Sequence, residues 1–315
     1  MKKLVFILAS LLLFSCQEEK PAETGQAKIK LKLNWFPEAE HGGYFHGVQS
    51  GIYKQAGLDV EIVSGGPGNP VETEVAIGRF EFGIANADKI LAVRENGLKV
   101  VGLLAPYQTS PRCLIAHQNE PLETFADIAK ANRLIVNDTK PFYKYLVHKH
   151  PEIKKNQTVA YSQALFLGDF QSIMQGYINS EPLIIRDKGF DIKTLSLADL
   201  GYNPYASVLI CREELINTNP ELVKAMVQAT QKAWIAYLKN PSSANKVIIE
   251  KNPELGTTLQ RSAELLPGMM SADPFGQMTP ERWNTLAKQL HECGVLKAIP
   301  TDLHKVYNTS FLSDQ

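Results

Sequence analysis

The chain has 315 residues, 44% hydrophobic and 21% charged, with 33 Lys and Arg against 33 Asp and Glu. That length builds two modest domains around a sizeable core, and the composition is too ordinary for wholesale disorder. Zero net charge excludes a general nucleic-acid binder, which needs surplus cations to displace counterions from phosphate, and four cysteines exclude a disulfide-built scaffold.

At the N-terminus Lys2 and Lys3 precede an apolar run, Leu4 to Leu13. About ten residues fall short of the ~20 that span a bilayer, so the run reads as the hydrophobic part of a signal peptide. Leu13-Phe14-Ser15-Cys16 resembles the bacterial lipobox, whose cysteine is lipidated and becomes the mature N-terminus. An ordinary secretory signal with an incidental cysteine is the alternative. Residues 1–16 are therefore expected to be a leader with its lipidated Cys16, and polar residues 17–27 a flexible tether. The expected place is the cell envelope, lipid-anchored outside the cytoplasmic membrane and facing the periplasm or the cell surface. With Cys16 so used, Cys113, Cys211 and Cys293 remain, either as buried free thiols or with a Cys113–Cys211 bridge.

From Lys28 the pattern alternates. Ile29, Leu31 and Leu33 alternate with lysines as a strand does, a helix follows over Ala39–Ser50, and Leu58 to Val63 is a second strand. Beyond the Gly65-Gly66-Pro67-Gly68 loop, Asn69 is expected to cap a helix with Pro70 at its first position. Phe82–Ala85 is a strand, Ala87–Glu95 a helix ended by Asn96-Gly97, and Val100–Ala105 a strand. Strands are expected near 114–116, 134–136, 159–161, 182–185, 192–195 and 206–211, and helices over 125–130, 142–150 and 170–175. After Arg212 the expectation is helical: 220–239, 241–251, 254–265 and 280–293. Such βα alternation predicts an α/β fold with mainly parallel sheets.

Leu33-Asn34-Trp35-Phe36-Pro37-Glu38-Ala39-Glu40-His41, Gly51-Ile52-Tyr53, Gly57-Leu58-Asp59-Val60, Gly78 to Ala85 and Asn219-Pro220-Glu221-Leu222-Val223 carry a resemblance. The chain resembles, over nearly its whole mature length, the family of sulfonate-, nitrate- and thiamine-pyrimidine-binding proteins. The resemblance implies a two-lobed periplasmic-binding-protein fold of type II and a solute-binding role in an ABC importer, with permease and ATPase subunits as partners. It places residues 28–113 and 207–315 in one lobe and 114–206 in the other. Pro111–Ala116 and Ala206–Cys211 would be the two crossover hinge strands, and the lobes would close on a ligand at the carboxyl ends of the strands.

Candidate ligand contacts sit in the loops at those strand ends. Asn34 and Trp35 follow the first strand, and the indole offers a face for stacking. Glu38, Glu40 and His41 begin a helix, where acidic groups complement the dipole. Glu40 is expected at a solvated terminus, and His41 either caps or touches ligand. Gly66 and Asn69 belong to a loop delivering a helix N-terminus, which lacks the residues of a Walker loop. Asn86 follows the third strand and Tyr107 and Gln108 the fourth, with Asp88 a capping residue. Asn137 and Thr139 follow a strand of the second lobe. Glu181 stands in a segment, Asn179 to Pro182, that resembles one where the family turns an acid to the cleft. Tyr202 and Tyr205 precede the return strand and add two rings.

An ionised carboxylate only accepts hydrogen bonds, so this set favours an N–H-rich, neutral or cationic heterocycle over nitrate or sulfonate, which would recruit arginine. Arg112 and Lys140 are the nearest cations. A thiamine-precursor pyrimidine leads. Riboflavin follows, because the Gly-Gly-Pro loop resembles riboflavin-binding relatives. Zinc spacings and a Gly-x-Ser-x-Gly nucleophile motif are missing, so neither metal, cofactor nor catalytic residue is expected. Fungal enzymes that make the thiamine pyrimidine share this resemblance but carry a cysteine cluster, where this chain has the single Cys211. The expected protein is a monomeric binder rather than an enzyme. A sensor feeding a receptor would look the same in sequence.

Overall fold

The computed structural model describes residues 27–159, 161–270 and 272–314. The leader, Cys16 and the tether before Ala27 lie outside the described residues. Two five-stranded sheets organise the chain. The first takes β1 (Ala27–Lys32), β2 (Leu58–Val63), β3 (Phe82–Ala85), β4 (Val100–Leu104) and β10 (Val208–Arg212), in the order β2-β1-β3-β10-β4. The second takes β5 (Arg112–His117), β6 (Arg133–Ile135), β7 (Gln157–Val159), β8 (Ser172–Tyr177) and β9 (Ile192–Ser196), in the order β7-β6-β8-β5-β9.

The two orders are the same pattern written twice. β1 runs parallel to β2 and β3, and β6 parallel to β7 and β8, whereas β10 and β5 run antiparallel to both their neighbours. Four strands of each sheet therefore share a direction, as the expected mainly parallel sheets require, and one runs against them. The reason is connectivity. A chain leaving one sheet at the carboxyl ends of its strands enters the other at the same edge, and so runs backwards through it. These crossings occupy residues 105–111 and 197–207 and pair with each other through an antiparallel bridge, Tyr107 to Ala206. Most of Pro111–Ala116 and Ala206–Cys211 is strand inside the sheets; the hinge segments lie just before them. The architecture is the two-lobed periplasmic-binding-protein fold of type II.

Helices cover both faces: α1 (Gly42–Gln49), α2 (Ile52–Gln55), α3 (Val71–Ala76), α4 (Ala87–Glu95), α5 (Phe125–Lys130), α6 (Pro141–Lys149), α7 (Gln163–Gly168), α8 (Glu181–Asp187), α9 (Glu213–Thr218), α10 (Pro220–Lys239), α11 (Ser242–Lys251), α12 (Thr258–Leu265) and α13 (Pro280–Glu292). In β10, Leu209 and Cys211 join Tyr44, Met226 and Trp234 on one face, while Val208 and Ile210 join Val75, Ile90 and Trp283 on the other. Such two-sided burial gives continuous apolar strands instead of alternating ones. α10 starts where Asn219 accepts the Leu222 amide at 3.2 Å, with Pro220 at its first position. It buries Val223, Val227, Thr230, Trp234 and Tyr237 at helical spacing. α1 approaches it closely because residue 43 is glycine: a Cβ there would lie 2.2 Å from the Trp234 ring. A third cluster, with Cys113, Ile115 and Phe166, fills the outer face of the second sheet.

The helix expected over 254–265 begins only at Thr258, after a 3-10 turn, Pro253–Leu255, and Gly256, and three further local expectations fail. Residues expected as a helix at 170–175 fall largely within strand β8, preceded by helix α7, because pairing between β6 and β5 decides a short apolar run that local propensity leaves open. Residues 182–185 form the middle of α8, where Pro182 sits in the first turn. Pro70, not Asn69, stands at the cap of α3; exposed Asn69 turns its amide back to the Gly66 carbonyl at 3.0 Å. Cys113, Cys211 and Cys293 are free, the first two buried in different sheets, so the bridge alternative does not form.

Candidate ligand-binding site

Strand ends of both sheets face each other across a crevice, and side chains from both lobes meet there. After β1 the chain turns through Asn34 and Trp35 into a short 3-10 turn, Ala39–His41. His41 is fully buried. Its Nδ1 accepts the Glu38 amide at 3.3 Å, which leaves Nε2–H for Asn34 Oδ1 at 2.9 Å and Glu40 Oε1 at 3.2 Å. Burial drives its pKa down to about 3, so the ring is neutral. His41 thus orients its two neighbours and takes the capping alternative.

Glu40 overturns the expectation of a solvated terminus: it is 2% exposed. Burial pushes its carboxyl up to about 7, opposed by the hydrogen bond from Ser207. Glu38 is raised well above the ordinary range by burial and then by Glu181 and Glu40. Glu181, at the start of α8, is raised by burial, with the Tyr177 amide at 2.7 Å and the Arg112 charge pulling the other way. Three desolvated carboxyls therefore converge from the two lobes. Loss of solvation disfavours their charge, and each presents acceptor oxygens.

Rings and amides surround them. Trp35 meets Tyr161 of the other lobe edge-on at 6.0 Å and Phe36 at 5.5 Å, and the Tyr161 hydroxyl reaches the Glu181 carboxyl. Asn86 donates from Nδ2 to the Tyr177 hydroxyl across the lobes at 2.8 Å. Arg112 lies over the Phe142 ring at 4.6 Å and the Tyr177 ring at 5.1 Å. Tyr107 is buried in the outgoing crossing and accepts from Asn179 Nδ2 at 3.1 Å, while Asn179 Oδ1 is buried with no partner among the described residues.

The remaining candidates make contacts of their own. Tyr202 donates to Asp88 Oδ2 at 2.9 Å and packs on Tyr145; Tyr205 accepts the Thr279 amide at 2.9 Å beneath the Arg282 guanidinium. Both are buried supports of the return crossing, and Asp88 is a buried partner instead of a cap. Asn137 and Thr139 are exposed, and Asn137 Oδ1 accepts from the Thr139 amide at 3.0 Å and hydroxyl at 2.6 Å. Gly66 is buried under Phe36, and its neighbour Gly65 lets the loop lie against the backbone after β1. Sequence reasoning missed Tyr161, Tyr177 and Ser207, which no motif distinguished. The position of Glu40 beside His41 in the quoted N-terminal stretch was the available signal for its burial.

A two-lobed fold with aromatic rings, amides and desolvated carboxyls converging between its sheets defines a binding protein of the periplasmic type. The chain belongs to the NMT1/THI5-like family, whose pattern matches residues 38–244. It is 23% identical to a formylaminopyrimidine-binding protein of Halalkalibacterium halodurans, covering 92% of each chain. It is 25% identical to the riboflavin-binding protein RibY of Chloroflexus aurantiacus, covering 90% of this chain and 86% of that one. A 4-amino-5-hydroxymethyl-2-methylpyrimidine phosphate synthase of Legionella pneumophila is 23% identical over 74% of this chain and 77% of its own. Among solved structures, the periplasmic aliphatic sulphonate binding protein SsuA of Escherichia coli superposes with a TM-score of 0.67 at 10% identity, covering 91% of this chain and 94% of that one.

Proposed function

We propose that this chain is the extracytoplasmic solute-binding component of an ABC importer, anchored by lipid at Cys16, which captures a flat nitrogen heterocycle and changes none of its covalent bonds. The convergence of Glu38, Glu40 and Glu181 beside Trp35, Tyr161 and Tyr177 carries this reading. Buried acceptors are costly unless hydrogen-bonded, and an aminopyrimidine supplies N–H groups in the plane of a ring that stacks. An oxyanion would recruit guanidinium donors, whereas Arg112 stands here beside three carboxyls. The similarity to a formylaminopyrimidine-binding protein supports the same ligand class. Riboflavin is the second reading, supported by comparable identity to the riboflavin-binding relative and by the several rings in the crevice.

A bond-making role for Cys211 is disfavoured by its place. It lies one residue from the end of β10, facing the α1–α10 core, and burial pushes its thiol up to about 12, which suppresses the reactive thiolate. Closure would present both lobes to a permease, driven by whatever contacts the ligand makes better in the closed form. Mass spectrometry of small molecules released on denaturing fresh protein, followed by calorimetric titration with formylaminopyrimidine, riboflavin, nitrate and taurine, tests the reading. Binding of the pyrimidine, or second the flavin, is expected. Tight binding of nitrate or taurine with none of either heterocycle, or measured turnover, would overturn it.

A further inference from the structure

Helix α8 belongs to the second lobe and α12 to the first, and each is rooted in its own. Ile185 of α8 is buried with Cys113 and Ile115 in the cluster of the second sheet. Leu259 and Ala263 of α12 are buried in the first-lobe core that holds Tyr44 and Trp234. The faces these residues leave free meet each other. Ile184 of α8 packs against the first-lobe core. Thr258, Arg261 and Ser262 stand on one face of α12, at the three- and four-residue spacings that bring side chains together, and all three bond to the second lobe. Thr258 is 5% exposed and donates to Asp187 Oδ2 at 2.6 Å, and the Arg261 guanidinium pairs with the same oxygen. The Ser262 hydroxyl donates to the Asn179 carbonyl, two residues before α8. The first lobe therefore grips α8 at its last residue and just ahead of its first, which is Glu181.

We propose that α8 and α12 form a latch between the lobes, in which Thr258 and Arg261 clasp Asp187 and hold the crevice closed without ligand, as positioning residues that keep Glu181 against the first lobe. The inference rests on the binding reading above, because it takes the crevice to open and close. Donors and acceptor lie in opposite lobes, and each helix stays with its own sheet, so parting α8 from α12 breaks the clasp. Asp187 and Arg261 are 38% and 46% exposed. Water competes for both, which makes the pair weak enough to release and sensitive to salt.

Small-angle X-ray scattering of the full-length, ligand-free protein, resolved into open and closed populations, reads the latch with no solute present. A wrong ligand assignment would show in titrations and leave this readout as it is. Arg261→Glu and Asp187→Arg each set like charges face to face, and each is expected to lower the closed-to-open ratio about three- to tenfold. The double exchange restores opposite charges and should return the ratio to within about twofold of the parent. Thermal melts establish that each variant is folded. Arg261→Gln gives a second measurement: its gap from the parent should narrow as salt rises from about 0.01 M to about 1 M, where the Debye length falls from about 30 Å to about 3 Å. A ligand-free parent with no closed population, folded single variants that scatter as the parent does, or a double exchange no nearer the parent than the singles would overturn the latch. A gap for Arg261→Gln that salt leaves unchanged would do the same.

Discussion

Exchanging Glu40 for Gln separates the burial of this side chain from its charge. In the unfolded chain the carboxyl ionises near 4.5; in the folded protein burial pushes that to about 7. Between those values the native state holds a proton that the unfolded chain has released, so this group makes stability fall as pH rises from about 4.5 to 7 and adds no further change above. A difference of about two and a half pH units is worth about 3 kcal/mol, and with 2% exposure little is lost to solvent screening. Gln keeps an acceptor for the Ser207 hydroxyl and carries no charge to desolvate. Glu40→Gln should therefore match the parent near pH 4.5 and exceed it at pH 8 by up to about 3 kcal/mol, roughly 5 °C in Tm for a chain of this size. Calorimetric melts from pH 4.5 to 8 measure this. Glu38 is raised partly by Glu40, so the substitution also relieves part of that shift, a change of the same sign that adds to the gain at high pH. Parent and variant curves that run parallel over the whole range would refute the reasoning.

Trp35→Ala removes a stacking face worth ~0.5–1.5 kcal/mol and should weaken formylaminopyrimidine binding about twofold to tenfold by calorimetry; affinity within twofold of the parent rejects the stacking role. Glu181→Gln retains an oxygen for the Tyr177 amide but loses the charge-assisted hydrogen bond that the proposed function gives Glu181 with ligand, about 1.5–3 kcal/mol, so pyrimidine affinity should fall by about ten- to a hundredfold. Undiminished affinity rejects that contact. Gly65→Ala places a Cβ 2.2 Å from the Leu33 carbonyl oxygen and 2.6 Å from the Trp35 nitrogen; backbone on both sides makes this overpacking cost about 1–3 kcal/mol, visible as a lower melting temperature, and an unchanged melt contradicts it. Cys16→Ser should release the protein from membranes on fractionation, and continued retention refutes lipidation.

Much of the first lobe was legible because its signals are local. The spans of β2, β3 and α4 follow from apolar spacing and from turn residues such as Gly57 and Asn96-Gly97, and α10 announces itself through Asn219-Pro220 and a long amphipathic repeat. The residues around Asn34 to His41 also fixed the family. Local pattern did not decide β8 and α8: Ser172-Ile173-Met174 and Pro182-Leu183-Ile184-Ile185 are short apolar runs that suit either structure. The slot between β6 and β5 made the first a strand, and packing behind the crevice made the second a helix.

The site divides along the same line. Trp35, Asn86 and Glu181 were readable as polar or aromatic residues at element boundaries on the crevice side. The burial of Glu40, the meeting of Trp35 with Tyr161, and the hold of Asn86 on Tyr177 were not, since each joins residues distant in sequence. Periodicity reports which face of one element shuns water, and it carries nothing about which other element arrives there. Desolvation and pKa both depend on that arrival, and so they were decided only when the two crossings brought the sheets edge to edge.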